Sequence, residues 1–374
     1  MIHSQTYFKN IDALRFYAFL FVFVSHVFIS NNAITNVSLA YLHKALASYS
    51  FVGISFFFTL SAFLITWIIL SEIKSEGHFN LKHFYIRRAL RIWPLYFLIV
   101  AIGYLVVYIA KTKGIAATPL PEFFWFITFT FNYYVGHIND NLLFFIVFLW
   151  TIAVEEQFYL IWGACMHLFH KNILLLIVTI FCIYGVFVGL NAFGYIHSIY
   201  FNPLNYLINF GAGILLAYAC FQQNKLYVFL TTRAKIFWKI VYILFLLILI
   251  FFQNNEQWIW LNIVRQIILA LFFFLILFDQ CFKQKPLFHA GLWQPINYLG
   301  KISYGLYCWH GVIITVVLKL SPIAPNNETP LIIFCIYPLL IFLATIILSA
   351  ISYEFFEGKF LKLKQYFSAP IKNR

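Results

Sequence analysis

Charge is what this chain has least of. Only 10% of its 374 residues are Asp, Glu, Lys or Arg, against about a quarter in a soluble globular domain, so a fully water-exposed fold is excluded. Cysteine is no richer in meaning. Cys165, Cys182, Cys220, Cys281, Cys308 and Cys335 lie in or beside apolar runs without close pairing, which excludes a disulfide framework or a cysteine-based metal site and leaves them as small hydrophobes. There is no low-complexity linker and no clear internal repeat. Residues 1–374 are therefore expected to form one integral domain, and the lack of a repeat disfavours transporter folds built by duplication. No small-x-small cleavage site follows the first apolar run, and that run contains His26. A removable signal peptide is not expected.

What the chain does have is oil. It is 63% hydrophobic and 22% aromatic, with a mean hydropathy of +0.87. Apolar stretches near 12–31, 49–71, 92–110, 142–169, 172–190, 204–221, 237–252, 258–279, 298–318 and 331–352 predict an all-α, polytopic membrane helical bundle of about ten transmembrane helices. The run Phe123 to Phe131 is too short to span and reads as re-entrant or interfacial. The net charge of +13 is not a nucleic-acid signal, because of where the charges fall. With a cytoplasmic N-terminus, the inner loops hold Lys74, Lys82, Arg87, Arg88, Arg91, Lys171, Lys225, Arg233, Lys235, Lys239, Lys283, Lys285 and Lys301, and the tail adds Lys359, Lys362, Lys364, Lys372 and Arg374. The outer loops hold Lys44, Lys111, Lys113 and Lys319. That asymmetry is the positive-inside pattern, with both termini cytoplasmic and lipid rather than nucleic acid as the surroundings.

Against this background the polar residues inside the spans carry the chemistry, since ionisable groups in lipid are costly and face a cavity or a partner. The first span reads Asn10-Ile11-Asp12-Ala13-Leu14-Arg15 and continues to Ser25-His26. Eleven residues of helix turn through about 1,100° and rise about 16 Å, so Arg15 and His26 share one side, the first near a membrane surface and the second about midway. The bland alternative is an interfacial Arg that anchors the helix and a His bonded to a neighbouring helix. The second span holds Phe56-Phe57-Phe58-Thr59-Leu60-Ser61-Ala62-Phe63-Leu64-Ile65, whose small pair suits close packing. After it come Phe84-Tyr85-Ile86-Arg87-Arg88-Ala89-Leu90-Arg91-Ile92-Trp93-Pro94. The fourth holds Trp150-Thr151-Ile152-Ala153-Val154-Glu155-Glu156-Gln157-Phe158-Tyr159. Its two glutamates point about 100° apart, so at most one faces the Arg15/His26 side. The ninth holds Ser303-Tyr304-Gly305-Leu306-Tyr307-Cys308-Trp309-His310, and the eighth carries Arg265.

In this order, over nearly the whole chain from Asn10 to about Lys359, these motifs resemble the acyltransferase-3 family of multispanning membrane O-acyltransferases. Ala62 stands where that family usually has Gly, and Thr151 where it usually has Ser; both keep a small residue. The sequence shows no extracytoplasmic esterase-like domain of the kind fused to some members, so acyl handover is expected to rest on the membrane part or on a separate protein. The resemblance implies transfer of an acyl group, most often acetyl, from cytoplasmic acyl-CoA to a hydroxyl of a cell-envelope or secreted glycan, in a bacterial inner membrane. The rival class is a transporter or flippase for a lipid-linked sugar. Arg15 and His26 match the family's essential Arg-x10-His pair, and Arg88 and Arg91 its Arg-x-x-Arg motif, associated with acyl-CoA. The chemistry agrees: guanidinium groups bind phosphate oxygens bidentately, and an imidazole accepts a proton from a sugar hydroxyl near neutral pH. Topology alone also explains arginines at a cytoplasmic mouth.

We therefore assign Arg15, His26 and Glu155 to catalysis, Arg88 and Arg91 to the coenzyme, and His310, Arg265 and Glu156 to the acceptor. The sequence does not choose which of Glu155, Glu156 and Asp12 neighbours His26. Asp12 is expected to pair locally with Arg15 or to cap the helix. No metal and no permanently bound cofactor is expected; acyl-CoA is the donor substrate.

Overall fold

The computed structural model of the chain describes residues 8, 10–29, 37–115, 118–137, 142–195, 199–251, 259–320 and 330–367. Among them every regular element is helical. Helix α1 spans Ile11–Ile29, α2 Val37–Ala47, α3 Ser50–Glu76 and α4 Leu81–Thr112. Three short helices follow, α5 Phe123–Ile127, α6 Phe131–His137 and α7 Phe144–Val147. Then come α8 Leu149–Phe169, α9 Ile173–Ala192, α10 Leu207–Gln222, α11 Lys225–Thr231, α12 Lys235–Phe251, α13 Ile259–Phe282, α14 Gln294–Lys301, α15 Ser303–Leu320, α16 Tyr337–Ser352 and α17 Gly358–Leu363.

Seven helical stretches are long and apolar enough to cross a membrane: Ile11–Phe28, Ala40–Glu76, Leu81–Thr112, Phe144–Ala192, Pro203–Gln222, Trp260–Phe282 and Ile332–Phe367. The expected number was about ten, and the two readings part at three places. Phe144–Ala192 runs as one helical stretch of 49 residues, where the sequence suggested spans at 142–169 and 172–190. Helix α12 has 17 residues, and the described apolar part of α15 ends at Val317; both are shorter than a full bilayer crossing of about 20 residues. The ends of the expected spans at 30–31, 252 and 258, and the tail cations Lys372 and Arg374, lie outside the described residues.

The molecule turns large apolar side chains outward as well as inward. Leu175, Val178 and Val186 on α9, Ile240, Ile243 and Ile250 on α12, and Leu339, Leu343 and Ile347 on α16 are all exposed. Faces this oily are far larger than water tolerates on a monomer. They fit a membrane protein, and lipid is their natural solvent.

Inside, small residues set how closely helices approach. Helix α10 lies along α3, and a methyl group added at Gly213 would meet the Thr59 carbonyl, with Phe63 N at 2.8 Å and the Ala62 methyl at 3.0 Å. A side chain at Gly300 in α14 would collide with the Asp12 carbonyl in the first turn of α1, so this crossing fixes the start of the helix that carries Arg15. Gly213→Ala is expected to destabilise the protein by about 1–3 kcal/mol through overpacking. Gly185→Ala, which meets nothing within 4 Å, should leave stability unchanged or improved. Thermal unfolding of the two variants in detergent checks the contrast.

The α3–α4 connection is tight and explicitly capped. Gly77 closes α3 in the left-handed conformation (φ +77°), its N–H bonding the Ile73 carbonyl, which a residue without Cβ does at no steric cost. Asn80 caps α4 by accepting from the His83 N–H at 3.0 Å. The predicted short segment after α4 is two helices joined at Phe129, which has φ +53°. Gln157 of α8 holds this turn, its Nε2 donating to the Phe129 carbonyl at 2.6 Å and to Asn132 Oδ1 at 2.7 Å.

Candidate active site

Five helices converge on a cavity of about 100 Å³. Helix α1 contributes Arg15, α3 Phe57 and Ser61, α4 Arg88 and Arg91, α8 Glu155 and Tyr159, and α15 Tyr304 and Tyr307. Helical periodicity explains the selection on α4. Arg88 and Arg91 are three apart and share a face, and both line the cavity. Arg87 is turned about 100° away. It pairs with Glu72 at 2.8 Å and donates to the Phe367 carbonyl at 2.6 Å, which ties α4 to α3 and to the C-terminal segment. The three neighbouring cations thus divide into one structural arginine and two that face the cavity. Arg15 pairs with Asp12 at 3.0 Å, one turn earlier on α1, as the sequence led us to expect.

The two glutamates also divide. Glu155 lines the cavity and accepts from the Tyr159 hydroxyl, which is itself 2.6 Å from Ser61 Oγ. Arg88 lies over the Tyr159 ring, 5.2 Å from its centroid. Glu156 does not line the cavity: it is buried, and its Oε2 accepts from Trp93 Nε1 at 2.9 Å. Among the described lining residues, three guanidinium groups therefore face one carboxyl. Like charges gathered in a poorly solvated space repel; Asp12 offsets part of the charge of Arg15, and the lining that remains is positive, which favours an anion. Lys364, from the segment after α17, lies within electrostatic reach of Arg91, Arg88 and Arg15 and adds to the field.

At the far end of the cavity the Tyr307 ring stands 5.5 Å from the His310 ring, centroid to centroid. Its hydroxyl is 2.6 Å from Thr151 Oγ1 and donates to the Phe148 carbonyl at 3.1 Å. Beyond this wall the two histidines meet. His26 Nδ1 and His310 Nε2 are 2.8 Å apart, and their rings lie 11° from parallel. Phe148 stacks on His26 with centroids 3.8 Å apart. His26 is 5% exposed and His310 fully buried.

Arg15 and His26 thus share a side of α1, but Arg15 lines the cavity and His26 lies beyond its Tyr307 wall. The neighbour at His26 is a histidine, where the sequence offered three carboxylates. Arg265 is placed elsewhere: buried on α13, it stacks over Phe51 at 4.5 Å and lines a smaller cavity with Ser48, Tyr49 and Leu269. Among the described residues no group of three His, Cys, Asp or Glu side chains is arranged as a metal site. Sequence reasoning did not single out Tyr159, Tyr304, Tyr307 or Lys364. In a chain with 24 Tyr and 47 Phe, a functional ring has no contrast against structural ones.

Residues 8–352 match the family model of the acyltransferase domain. The peptidoglycan O-acetyltransferase OatA of Listeria monocytogenes is 26% identical over 376 residues, covering 95% of this chain and 56% of that protein. A putative O-acetyltransferase of Staphylococcus aureus is 27% identical over 398 residues, covering 96% of this chain and 58% of its own length. The O-acetyltransferase OatA of Staphylococcus aureus is 26% identical over 382 residues, covering 95% and 57%. The chain spans somewhat over half the length of these curated relatives. No solved structure matches it.

Proposed function

Because the chain belongs to the acyltransferase-domain family, we propose that it is a bacterial inner-membrane O-acyltransferase, in the first instance an O-acetyltransferase. It takes the acyl group from cytoplasmic acyl-CoA and delivers it to a hydroxyl of a cell-envelope or secreted glycan. The observation that carries this reading is the cavity holding Arg15, Arg88 and Arg91 and ending one residue wall away from a histidine pair. CoA carries a pyrophosphate and a further phosphate, and forked guanidinium donors suit such oxygens better than any other side chain. The Listeria relative is a peptidoglycan O-acetyltransferase by name, which favours a cell-wall glycan as acceptor.

In the proposed reaction the arginines hold the donor's phosphates and orient its thioester toward the Tyr307 end. His26 removes the proton from the acceptor hydroxyl as the oxygen attacks the thioester carbonyl. The carbon–sulfur bond breaks, an ester forms, and the CoA thiolate leaves and is reprotonated. Arg15 and Glu155 act at the donor end, where Glu155 and Ser61 hold Tyr159 beneath Arg88. His310 is assigned to the histidine pair. Glu156, about 100° round α8 from Glu155, and Arg265, on α13, do not line the donor cavity, and an acceptor route is the role left to them.

The direct test is purified protein in liposomes with labelled acetyl-CoA and candidate glycans. Labelled ester on the glycan with release of CoA is expected. Movement of a lipid-linked sugar without CoA release would establish the transporter class instead. In sealed, oriented vesicles, product should require acyl-CoA on the cytoplasmic face and acceptor on the other. Replacing both Arg88 and Arg91 by Ala should weaken CoA binding by about tenfold to a hundredfold while sparing acceptor binding, and Lys at both positions should recover only part of it. Competition with CoA and dephospho-CoA measures this. Unchanged affinity would return the two arginines to a purely topological role.

A further inference from the structure

The geometry points to His310 as a positioning residue that fixes which nitrogen of His26 carries the proton; this rests on the acyl-transfer reading for its catalytic meaning, although the proton arrangement itself does not. Two distances decide it. His310 Nδ1 is 2.5 Å from the Tyr307 carbonyl, and a carbonyl oxygen only accepts. The proton of a neutral His310 therefore sits on Nδ1, and its Nε2 presents a lone pair. That Nε2 is the atom 2.8 Å from His26 Nδ1. With both rings neutral, the bond forms only if His26 donates from Nδ1. The other nitrogen of His26, Nε2, is then left with its lone pair.

A base needs such a nitrogen: unprotonated and held still. The holding is done by packing. Phe148 stacks on both rings, with centroids 3.8 Å from His26 and 5.0 Å from His310, and Phe19 closes edge-on against His310 at 5.9 Å. The carbonyl that sets the sequence belongs to Tyr307, whose ring also forms the cavity wall. The same residue thus bounds the donor chamber with its side chain and orders the histidine pair with its backbone. The partner that fixes a catalytic imidazole is often a backbone carbonyl or a carboxylate. Here a neutral imidazole backed by a peptide carbonyl takes that place, which adds no buried charge.

Two measurements test the proposal. Solid-state nitrogen NMR of histidine-labelled protein in liposomes, assigned by comparison with His26→Gln, reads the tautomer without any substrate. A proton on Nδ1 of His26 with an imine-like Nε2 is expected; a proton on Nε2 would overturn the proposal whether or not the protein transfers acyl groups. Kinetics supply the second. His310→Gln offers a side-chain oxygen that accepts from His26 Nδ1 and should keep turnover within about tenfold of the parent. His310→Leu offers no acceptor and should lose about a hundredfold in kcat with little change in KM for acyl-CoA, because His310 does not line the arginine cavity. Equal kcat for the Gln and Leu variants would refute the role of an acceptor at this position. No turnover in the parent with the expected tautomer intact would instead refute the proposed reaction and leave the proton arrangement standing.

Discussion

His26→Ala is expected to cut turnover by about a hundredfold or more, the usual scale for removal of a general base, while folded protein remains in the membrane. The ring is more than packing, since it bonds His310 through Nδ1. Its loss removes a base and leaves the arginine cavity untouched, because His26 does not line that cavity. The variant should therefore bind acyl-CoA normally and fail at the chemical step. Binding by equilibrium titration and transfer in liposomes separate the two. If His26 carries the acyl group briefly instead of acting only as a base, the parent mixed with acyl-CoA alone will show a covalent acyl-imidazole by mass spectrometry, and His26→Ala will not. Near-normal turnover by His26→Ala would move the role to His310.

Arg15→Lys is the second large effect. The substitution keeps the charge, so an account based on topology or net field expects little change. The geometry expects a loss of about a hundredfold, similar to removal of one preorganised donor from an active site. Arg15 gives one nitrogen to Asp12 at 3.0 Å and also lines the cavity. An ammonium group is a single point on a flexible stem and does not serve both at once. Turnover with acetyl-CoA, set beside expression and thermal stability of the variant, checks this. Parent-like activity would make Arg15 an interfacial anchor and nothing more.

The parts of this site that follow from helical geometry were legible in the sequence. Positions 88 and 91 share a face, Glu155 and Glu156 diverge, and Asp12 reaches Arg15, because each relation is local and governed by 3.6 residues per turn. Relations between distant helices were not legible. His26 and His310 are 284 residues apart, and periodicity says nothing about which spans become neighbours. The difference between Arg87 and Arg88 was hidden for the same reason, since Glu72 and the Phe367 carbonyl are partners only after folding. The count of spans differed where apolar runs were short or ran on without a break, as at α12 and at Phe144–Ala192. Hydropathy measures oiliness and not where a helix ends. The family resemblance, in contrast, rested on ordered motifs, and the match over residues 8–352 bears it out.

The separation of the two histidines along the chain has a consequence for how the protein is made. Arg15, Arg88, Arg91, Glu155 and Tyr159 all belong to the first half of the polypeptide, whereas Tyr307 and His310 emerge near its end. Chains fold progressively as they leave the ribosome, so most of the anion receptor is assembled long before the proton-ordering partner arrives. On the proposed function, the three arginines would be in the membrane before the wall formed by Tyr304 and Tyr307 closes the cavity. The histidine pair is completed only when the penultimate long helix docks beside the first, so on the proposed reaction an unfinished copy would lack the ordered base.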